Sequence, residues 1–304
     1  MTTASSPHSP HVSPLSGFWR DYARDRIAVA AVAAMALILL SAIFAPLLSP
    51  QNPYDLAQLD ILDAKLAPGA KASAGFTYWL GSDDQGRDMA SAILYGLRIS
   101  LGVGVASTLI ALAIGVAVGL AAGYAGGWVD GLIMRIVDLQ LSFPSILIAL
   151  VLLASVGQGV DKIVIALVLV QWAYYARTVR GTALVEKRKE YVEAARVMAF
   201  GRMRIVIRHL LPNVLPPLIV VATVQVAHAI ALEATLSFLG LGMPITEPSL
   251  GLLIANGFVH LLSGRYWISF FPGVALLITI VAINLVGDRL RDVLNPRLGS
   301  HYGA

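Results

Sequence analysis

The sequence EKRKEYVEAARVMAFGRMRIVIRHLLPN, residues 186–213, is a charged segment that lies between two apolar runs. Strong helix formers fill its first half, where Glu193 is spaced to pair with Lys189 at i,i+4 or with Arg196 at i,i+3. The second half is basic. The segment therefore predicts an amphipathic helix followed by a basic stretch. The face opposite the charges is predicted to carry Tyr191, Ala194, Ala195 and Met198.

Three structural roles are compatible with this pattern. A charged helix in a loop can simply face solvent, and a basic helix can lie on anionic lipid headgroups. Two small alanines beside a glutamate also give a flat surface that suits a groove on another protein. Spacing alone leaves these three possibilities open.

The rest of the chain is strongly apolar. Hydrophobic residues make up 57% of the 304 residues, charged residues only 13%, and the mean hydropathy is +0.75. Ordinary soluble domains have about 45–50% apolar and about 25% charged residues. With so little charge the chain cannot cover a surface that faces water, so lipid is its main solvent. This excludes a soluble enzyme, a disordered chain and, despite an isoelectric point near 9.4, a nucleic-acid-binding protein.

Six apolar runs are long enough to cross a bilayer as helices, which takes about 20 residues. The first run is too long for the core of a signal peptide, about 7–15 residues, and is predicted to be a retained helix. The sequence thus predicts an all-α integral membrane protein with six transmembrane helices. The runs lie at about 27–48, 97–124, 133–156, 160–180, 211–232 and 268–287.

Positive charge predicts the orientation of these spans, because Lys and Arg are enriched in cytoplasmic loops. With both termini in the cytoplasm, sixteen of the 22 Lys and Arg residues lie on the cytoplasmic side and six on the other. The chain is then predicted to comprise a disordered cytoplasmic tail (1–26), the first membrane helix (27–48), an external segment (49–96), a five-helix core (97–288) with a cytoplasmic loop at 181–210, and a cytoplasmic C-terminal tail (289–304).

The second apolar run carries a small residue at every fourth position. Residues at this spacing share one face of a helix and let a second helix backbone approach closely. We therefore predict a helix-packing ridge rather than a ligand groove. The ridge comprises Ala111, Gly115, Gly119, Gly123 and Gly127.

Polar side chains inside apolar runs are candidates for function, because exposing them to lipid is costly. Gln225 and His228 lie deepest and are predicted to line a translocation pathway. Asp138 is spaced to pair with Arg135 near the end of a span. Residues 233–251 are predicted either to form a re-entrant element near an outer gate or to extend the fifth span.

In the external segment, an acidic cluster predicts a turn. The turn either meets a partner protein or satisfies its own polar groups. It comprises Asp83, Asp84, Arg87 and Asp88.

The sequence predicts no catalytic, metal-binding or cofactor-binding residues. It contains no Gly-Lys pair, so the nucleotide-binding loop G-x-x-x-x-G-K-[ST] is absent, and it contains no HExxH zinc motif. The six histidines are scattered, and the chain has no cysteine to form disulfides or thiolate metal sites.

The pattern EYVEAAR…RIVIRHLLPN resembles the EAA loop of ABC importer permeases of the dipeptide, oligopeptide and nickel family. Four further segments resemble the C-type permease subunit of that family. They are WLGSDDQGRDMASAILYGLRISL (79–101), GYAGGWVDGLIMRIVDLQLSFPSILIAL (123–150), EATLSFLGLGMPITEPSLG (233–251) and NLVGDRLRDVLNPRL (284–298).

The resemblance implies a type I ABC importer permease fold in the inner, cytoplasmic membrane of a prokaryote. Such a subunit pairs with a second homologous permease subunit within the lipid bilayer. Two cytoplasmic ATPase subunits, which bind ATP and Mg²⁺, drive the pair, and an extracytoplasmic substrate-binding protein delivers the cargo. The chain itself is then a transporter subunit and not an enzyme, and it binds no cofactor and no nucleic acid.

The resemblance also implies which residues couple to the ATPase. The EAA helix seats in a cleft of one ATPase, and ATPase closure then moves the membrane helices. The family usually has Gly at the turn where this chain has Ala199, so Gly201 is expected to supply flexibility instead. The implied coupling residues are Tyr191, Glu193, Ala194, Ala195, Arg196, Met198, Ala199, Gly201, Arg204 and Arg208.

The expected function is therefore a permease subunit of an ATP-driven importer for di- and oligopeptides. The alternatives are the same machinery with nickel, glutathione or another small solute as cargo, or a secondary transporter that works without ATPases. The secondary transporter predicts inverted repeats and charged residues at mid-membrane. The sequence contains no convincing repeat, and the middles of the spans lack acidic residues.

Overall fold

The computed structural model describes residues 22–247 and 249–294. The predicted tail at 1–26 lies almost wholly outside this range, and so does most of the tail at 289–304. The helices are α1 (Arg26–Ile43), α2 (Ala45–Leu48), α3 (Met89–Ala125), α4 (Gly127–Ser142), α5 (Ser145–Val156), α6 (Val160–Glu186), α7 (Glu190–Val197), α8 (Arg202–Ile205), α9 (Leu211–Phe238), α10 (Leu250–Phe258) and α11 (Trp267–Leu294). One hairpin pairs β1 (Ala70–Lys71) with β2 (Thr77–Tyr78).

Every predicted apolar run is helical, which confirms the all-α class. Five helices of the described residues are long and apolar enough to cross a membrane, and α4 with α5 makes a sixth span if the pair is counted as one. These five are α1, α3, α6, α11 and a continuous helix over Arg202–Phe238.

The third predicted span, 133–156, is not one straight helix. It consists of α4 and α5, whose axes are bent by 87°. Phe143 is extended, with φ −91° and ψ 141°, and Pro144 follows it at the start of α5. Proline has no N–H and disfavours the helical conformation of the residue before it, so the first helix ends there.

Helix α3 begins eight residues before the predicted span. The carboxylate of Asp88 accepts hydrogen bonds from the backbone N–H of Ser91 at 2.8 Å and from its hydroxyl at 2.6 Å, which caps the helix. At 37 residues, α3 is about 55 Å long and exceeds a hydrocarbon layer of about 30 Å. The helix therefore extends beyond the bilayer.

The small-residue ridge of α3 lies against α6. A Cβ atom on Gly115 would stand 2.3 Å from the Cβ atom of Tyr175, and one on Gly119 would stand 2.6 Å from the carbonyl oxygen of Ala176. No side chain fits at these positions, so the two backbones approach closely. The same face of α3 also buries Ala111 and Gly123.

Gly127 does not belong to this ridge, contrary to the prediction. Helix α3 ends at Ala125, and Gly126 and Gly127 follow with φ of 68° and 58°. A Cβ atom on Gly127 would meet nothing within 4 Å. The four-residue spacing continues in the sequence, but the chain turns before the last glycine can face α6.

The acidic turn of the external segment is folded inward. Asp83 and Arg87 are both 0% exposed, and an Asp83 carboxylate oxygen accepts the backbone N–H groups of Gln85 and Arg87 at 2.8 and 2.9 Å. The Arg87 guanidinium donates to the carbonyl oxygen of Ile245 at 3.0 Å. Burial raises the pKa of Asp83 to about 6. The turn does not satisfy all of its own polar groups, because one carboxylate oxygen of Asp83, one of Asp88, and the Nε and Nη1 atoms of Arg87 are buried without a hydrogen-bond partner among the described residues. A contact of this cluster with a partner protein stays a prediction.

Candidate coupling surface and translocation elements

Glu186 joins the end of α6 to the start of α7. Its carboxylate is largely buried and accepts hydrogen bonds of 2.7 Å from the Lys189 ammonium and of 2.7 Å from the Tyr191 hydroxyl. Partial burial and this hydrogen bond raise the pKa of Tyr191 to about 12. Helical spacing suggested a pair between Lys189 and Glu193. In the structure Lys189 pairs with Glu186 instead. This clamp fixes the direction in which α7 leaves α6.

Helix α7 has one face in the core and one face exposed. Val192 and Ala195 are 0% and 3% exposed and belong to a core cluster with residues of α3, α6 and α9. The prediction that Ala195 shares an exposed face with Ala194 is wrong, because the inner face is formed by the i,i+3 pair at 192 and 195. The exposed residues of α7 and of the turn after it are Glu190, Tyr191, Glu193, Ala194, Arg196, Val197, Met198 and Ala199.

The turn after α7 is centred on Ala199. Its φ of +54° is left-handed, which is uncommon for a residue with a side chain. The Phe200 N–H donates to the Ala195 carbonyl at 3.1 Å, and the Ala199 N–H donates to the Arg196 carbonyl at 2.9 Å. This pair of bonds is the Schellman motif, which usually places glycine at the left-handed position.

Gly201 was expected to supply the flexibility of the turn in place of Ala199, but it does not occupy the left-handed position. It is extended, with φ −60° and ψ 147°, and precedes the first residue of α8. Any residue can adopt this conformation. The turn therefore lies at the position where the resembling family has glycine, and Ala199 occupies it under strain.

Large apolar side chains are exposed beside the basic residues of this loop. Val197 is 86% exposed, Met198 64% and Met203 69%, and the Arg204 guanidinium lies 4.2 Å from the centre of the Phe200 ring. Exposed apolar groups among arginines are typical of a surface that meets another protein. We name as the 193–208 surface the exposed residues Glu193, Ala194, Arg196, Val197, Met198, Ala199, Met203, Arg204 and Arg208.

The basic half of the loop is continuous with a membrane helix. Helix α8 passes through one π-helical turn, Val206–Leu210, into α9, and the Leu211 N–H donates to the Val206 carbonyl five residues earlier. Pro212 follows directly after this turn, and because proline has no N–H it cannot donate a hydrogen bond to the preceding helical turn. A force applied to this part of the 193–208 surface therefore acts directly on α9.

Ion pairs connect α4 with α6 at the same end of the molecule. The Arg180 guanidinium donates to both carboxylate oxygens of Asp130, at 2.9 and 2.6 Å. Arg177 pairs with Asp138. The expectation that Asp138 pairs with Arg135 within one helix is therefore wrong, because the neighbouring helix supplies the partner.

The two predicted pathway residues on α9 lie in different surroundings. Gln225 lines a cavity of about 590 Å³ between α9 and α11, together with Asp288 and Arg291. Its amide nitrogen is buried and has no hydrogen-bond partner among the described residues. His228 is exposed and does not line that cavity. Their role in lining a translocation pathway stays a prediction.

Glu233 is a buried polar residue at the start of residues 233–251, which the sequence predicts either as a re-entrant element or as an extension of the fifth span. Helix α9 continues to Phe238, and the Glu233 carboxylate accepts hydrogen bonds from the hydroxyls of Ser100 on α3, at 2.9 Å, and Ser237, at 2.7 Å. Helix α10 packs next to it, with Gly251 against the Ala234 backbone. An acidic residue within an apolar run is the signal that could have identified it.

Two family models match the chain. The model described as "Binding-protein-dependent transport system inner membrane component" matches residues 115–300. The model described as "N-terminal TM domain of oligopeptide transport permease C" matches residues 13–68. The first match begins inside α3 and covers the described chain from there through α11, including the whole 193–208 surface.

Curated relatives match almost the whole chain. The dipeptide transport system permease protein DppC of Escherichia coli K12 is 42% identical over 288 residues, 94% of each chain. The di/tripeptide transport system permease protein DppC of Pseudomonas aeruginosa is 36% identical over 296 residues, 97% of this chain and 96% of the relative. The dipeptide permease DppC of Bacillus subtilis is 36% identical and covers 97% of this chain and 89% of its own.

A solved structure has the same fold. A chain of the MetNI methionine ABC transporter, in an inward-facing conformation, matches with a TM-score of 0.56 and 22% identity, and covers 67% of this chain and 97% of its own length. Together with the family model over residues 115–300, this likeness confirms the type I importer permease fold. The family model and the relatives confirm the location in the inner membrane. The chain belongs to the family of inner-membrane permease components of binding-protein-dependent ABC transport systems.

Proposed function

We propose that this chain is one of two permease subunits in an ATP-driven importer of di- and oligopeptides. In this proposal it forms half of the translocation pathway. A second homologous permease forms the other half, two cytoplasmic ATPases bind ATP and Mg²⁺, and an extracytoplasmic binding protein delivers the peptide. The names of the relatives, which are dipeptide and di/tripeptide permeases, support this cargo class.

The observation that carries the proposal is the construction of the 193–208 surface. The inner face of α7, Val192 and Ala195, is held in the core, and the 193–208 surface on its outside presents apolar and basic groups. The loop is tied to α6 by the Glu186 clamp and is continuous with α9. An ATPase that holds this surface can therefore move two membrane helices as it closes on nucleotide.

Reconstitution with variants tests the coupling role. The complete importer is assembled in proteoliposomes with Glu193→Lys or Ala194→Trp in this chain, and ATPase association and peptide uptake are measured. We expect both to fall at least tenfold, because each change alters the exposed face while the buried face of α7 is unchanged. Normal association and normal uptake in both variants would refute the role.

A matched control reverses a charge elsewhere. Lys71 is exposed on the hairpin of the external segment, far along the chain from the loop. Lys71→Glu changes the charge by the same amount as Glu193→Lys but with the opposite sign. It should leave ATPase association unchanged.

The cargo is tested separately with the matched binding protein. Uptake of labelled dipeptides is measured in competition with tripeptides, glutathione and Ni²⁺. The proposal expects only peptides to compete. Competition by Ni²⁺ or glutathione alone would replace peptide as the cargo and would leave the coupling role intact.

A secondary transporter remains the alternative from another class. It requires transport by the isolated chain in proteoliposomes with an ion gradient and no ATPases. We expect no such transport.

A further inference from the structure

A second large cavity lies between α3 and the loop that carries the 193–208 surface. Its volume is about 900 Å³, within the range of about 300–1,000 Å³ that is usual for ligand sites. One wall is formed by α3, and the other by residues of α7, α8 and the π-helical turn. Two of its lining residues, Arg196 and Met203, also belong to the 193–208 surface, and the others lie outside that surface.

The wall formed by α3 is smooth and apolar. Ala113, Ala117 and Ala121 line it at four-residue spacing, so they form one stripe along the helix, and all three are exposed. The lining extends to Ala125, which makes the wall about 18 Å long at 1.5 Å per residue. Methyl-sized side chains leave a groove of the width and polarity that suit a hydrocarbon chain.

Three cations line the same cavity: Lys187, Arg196 and Arg202. The Lys187 ammonium donates to the carbonyl oxygens of Gly123, at 3.3 Å, and Tyr124, at 2.5 Å, at the end of α3. An ammonium has three donors, so one remains available.

The positive charge of the cavity is offset only in part, by Asp130, which lies outside its lining. Neither Arg196 nor Arg202 has an ion pair among the described residues, and none of the residues lining the cavity in that part of the chain is acidic. Burial and the nearby Arg196 lower the pKa of Lys187. A cavity with this electrostatic character attracts an anion.

We propose that this cavity binds one anionic phospholipid, with the headgroup phosphate held by Lys187, Arg196 and Arg202 and an acyl chain along the alanine stripe of α3. A free phosphate ion would leave the apolar wall uncovered, and a zwitterionic lipid would bring a cation of its own to the three cations. Basic pockets between membrane helices are the sites at which such headgroups bind. The bound lipid bridges α3 and the coupling loop.

Native mass spectrometry of the full chain in detergent tests this site. Phosphatidylglycerol and phosphatidylcholine with the same acyl chains are the probes, and the dissociation constant of the first bound lipid is measured. We expect phosphatidylglycerol to bind at least tenfold more tightly. At about fivefold per cation, Lys187→Gln with Arg202→Gln should weaken its binding about 25-fold. Binding of phosphatidylcholine should weaken less, because its choline cation offsets the charge of the phosphate.

Three further variants complete the test. Two of them change the shape of α3 without a change of charge, and the third removes cations outside the cavity. Ala117→Trp fills the groove without a change of charge and should abolish tight binding, whereas Ala106→Trp, on an exposed position of α3 outside the cavity, should not. Arg188→Gln with Arg265→Gln removes the same charge outside the cavity and should have no effect.

Three results would overturn the proposal. The first is equal affinity for the two lipids, and the second is displacement of the lipid by millimolar inorganic phosphate. The third is loss of the lipid from the wild-type chain when the ATPases bind, because the cavity would then belong to the protein interface. The site goes beyond the transport function, and its test needs neither ATP nor cargo.

Discussion

Ala199 is the residue where sequence and conformation disagree most clearly. A left-handed conformation costs a residue with a Cβ atom about 1–2 kcal/mol, and part of this cost is removed when glycine takes its place. The strained residue, with φ of +54°, lies between α7, which follows α6, and α8, which is continuous with α9.

Ala199→Gly should stabilise the turn by about 0.5–1 kcal/mol. Hydrogen exchange of the amides of residues 198–200 in the full chain should slow by about twofold to fivefold. Ala194→Gly, at an exposed position inside α7, is the matched control and should speed exchange in α7, because glycine destabilises a helix interior by about 1 kcal/mol. Faster exchange in Ala199→Gly would show that the turn is not strained.

Asp83 gives the external segment a defined dependence on pH. Its pKa in the folded chain, about 6, lies above the value of about 3.9 in an unfolded chain, so the folded state binds more protons between these values. Stability therefore falls as pH rises from about 4 to about 6 and stays lower above this range.

The wild-type chain should gain about 1 kcal/mol from Asp83 when the pH is lowered from 7 to 5. Asp83→Asn keeps an acceptor oxygen for the Gln85 and Arg87 N–H groups and should lose this gain. Thermal unfolding of both chains in detergent at the two pH values measures the difference. If wild type and variant respond equally to pH, Asp83 is not the titrating group.

At the scale of single residues, the sequence predicted which residues take part in turns and ion pairs better than it predicted their conformations and pairing partners. It identified the turn residues of the loop through a family resemblance, but spacing could not tell which of Ala199 and Gly201 is left-handed. It paired Asp138 with Arg135, whereas the structure pairs Asp138 with Arg177. Helical spacing reports only neighbours on one helix, so partners from a second helix are invisible to it.

At the scale of elements, the contact between α3 and α6 depends on glycines of α3, which have no side chain to hold the two backbones apart. A leucine at Gly115 would place its Cβ atom 2.3 Å from the Tyr175 Cβ and 2.8 Å from the Trp172 carbonyl oxygen. Since backbone and Cβ atoms cannot move out of the way cheaply, the two helices must separate.

Gly115→Leu should therefore destabilise the chain by about 2–4 kcal/mol. Gly102→Leu is the control, because a Cβ atom at Gly102, on the same helix, meets nothing within 4 Å. This variant should be neutral or slightly stabilising, since leucine favours a helix more than glycine does. Thermal unfolding in detergent measures both, and equal effects would mean that the ridge is not a packing surface.

Hydropathy predicted the helices and missed their ends. It placed all six apolar runs, because burial in lipid needs about 20 apolar residues in succession. It could not predict the start of α3 at Met89, which a polar cap determines, or the 87° bend at Pro144, because membrane helices often tolerate proline. It also ended the fifth span before Glu233, whose carboxylate is stabilised by serines that only the fold brings close.

At the scale of the whole molecule, the loop connects the proposed ATPase contact to two membrane helices. The 193–208 surface gathers exposed groups from two short helices, while α6 and α9 carry the loop into the membrane region. The sequence predicted this loop through its charge and its resemblance to a family motif. It could not predict which alanine faces outward, because two neighbouring alanines are equivalent until the core of the protein is known.

Because the chain has no cysteine, single introduced thiols can test directly whether the ATPases cover the 193–208 surface. Ala194→Cys places a single thiol on the exposed face, and Ala195→Cys, at 3% exposure, places one on the buried face. Each variant is labelled with a maleimide in membranes, with and without the ATPase subunits. Ala194→Cys should react readily alone and at least tenfold more slowly in the complex, and Ala195→Cys should react slowly in both. Rapid labelling of Ala194→Cys in the assembled importer would contradict the coupling role of this surface.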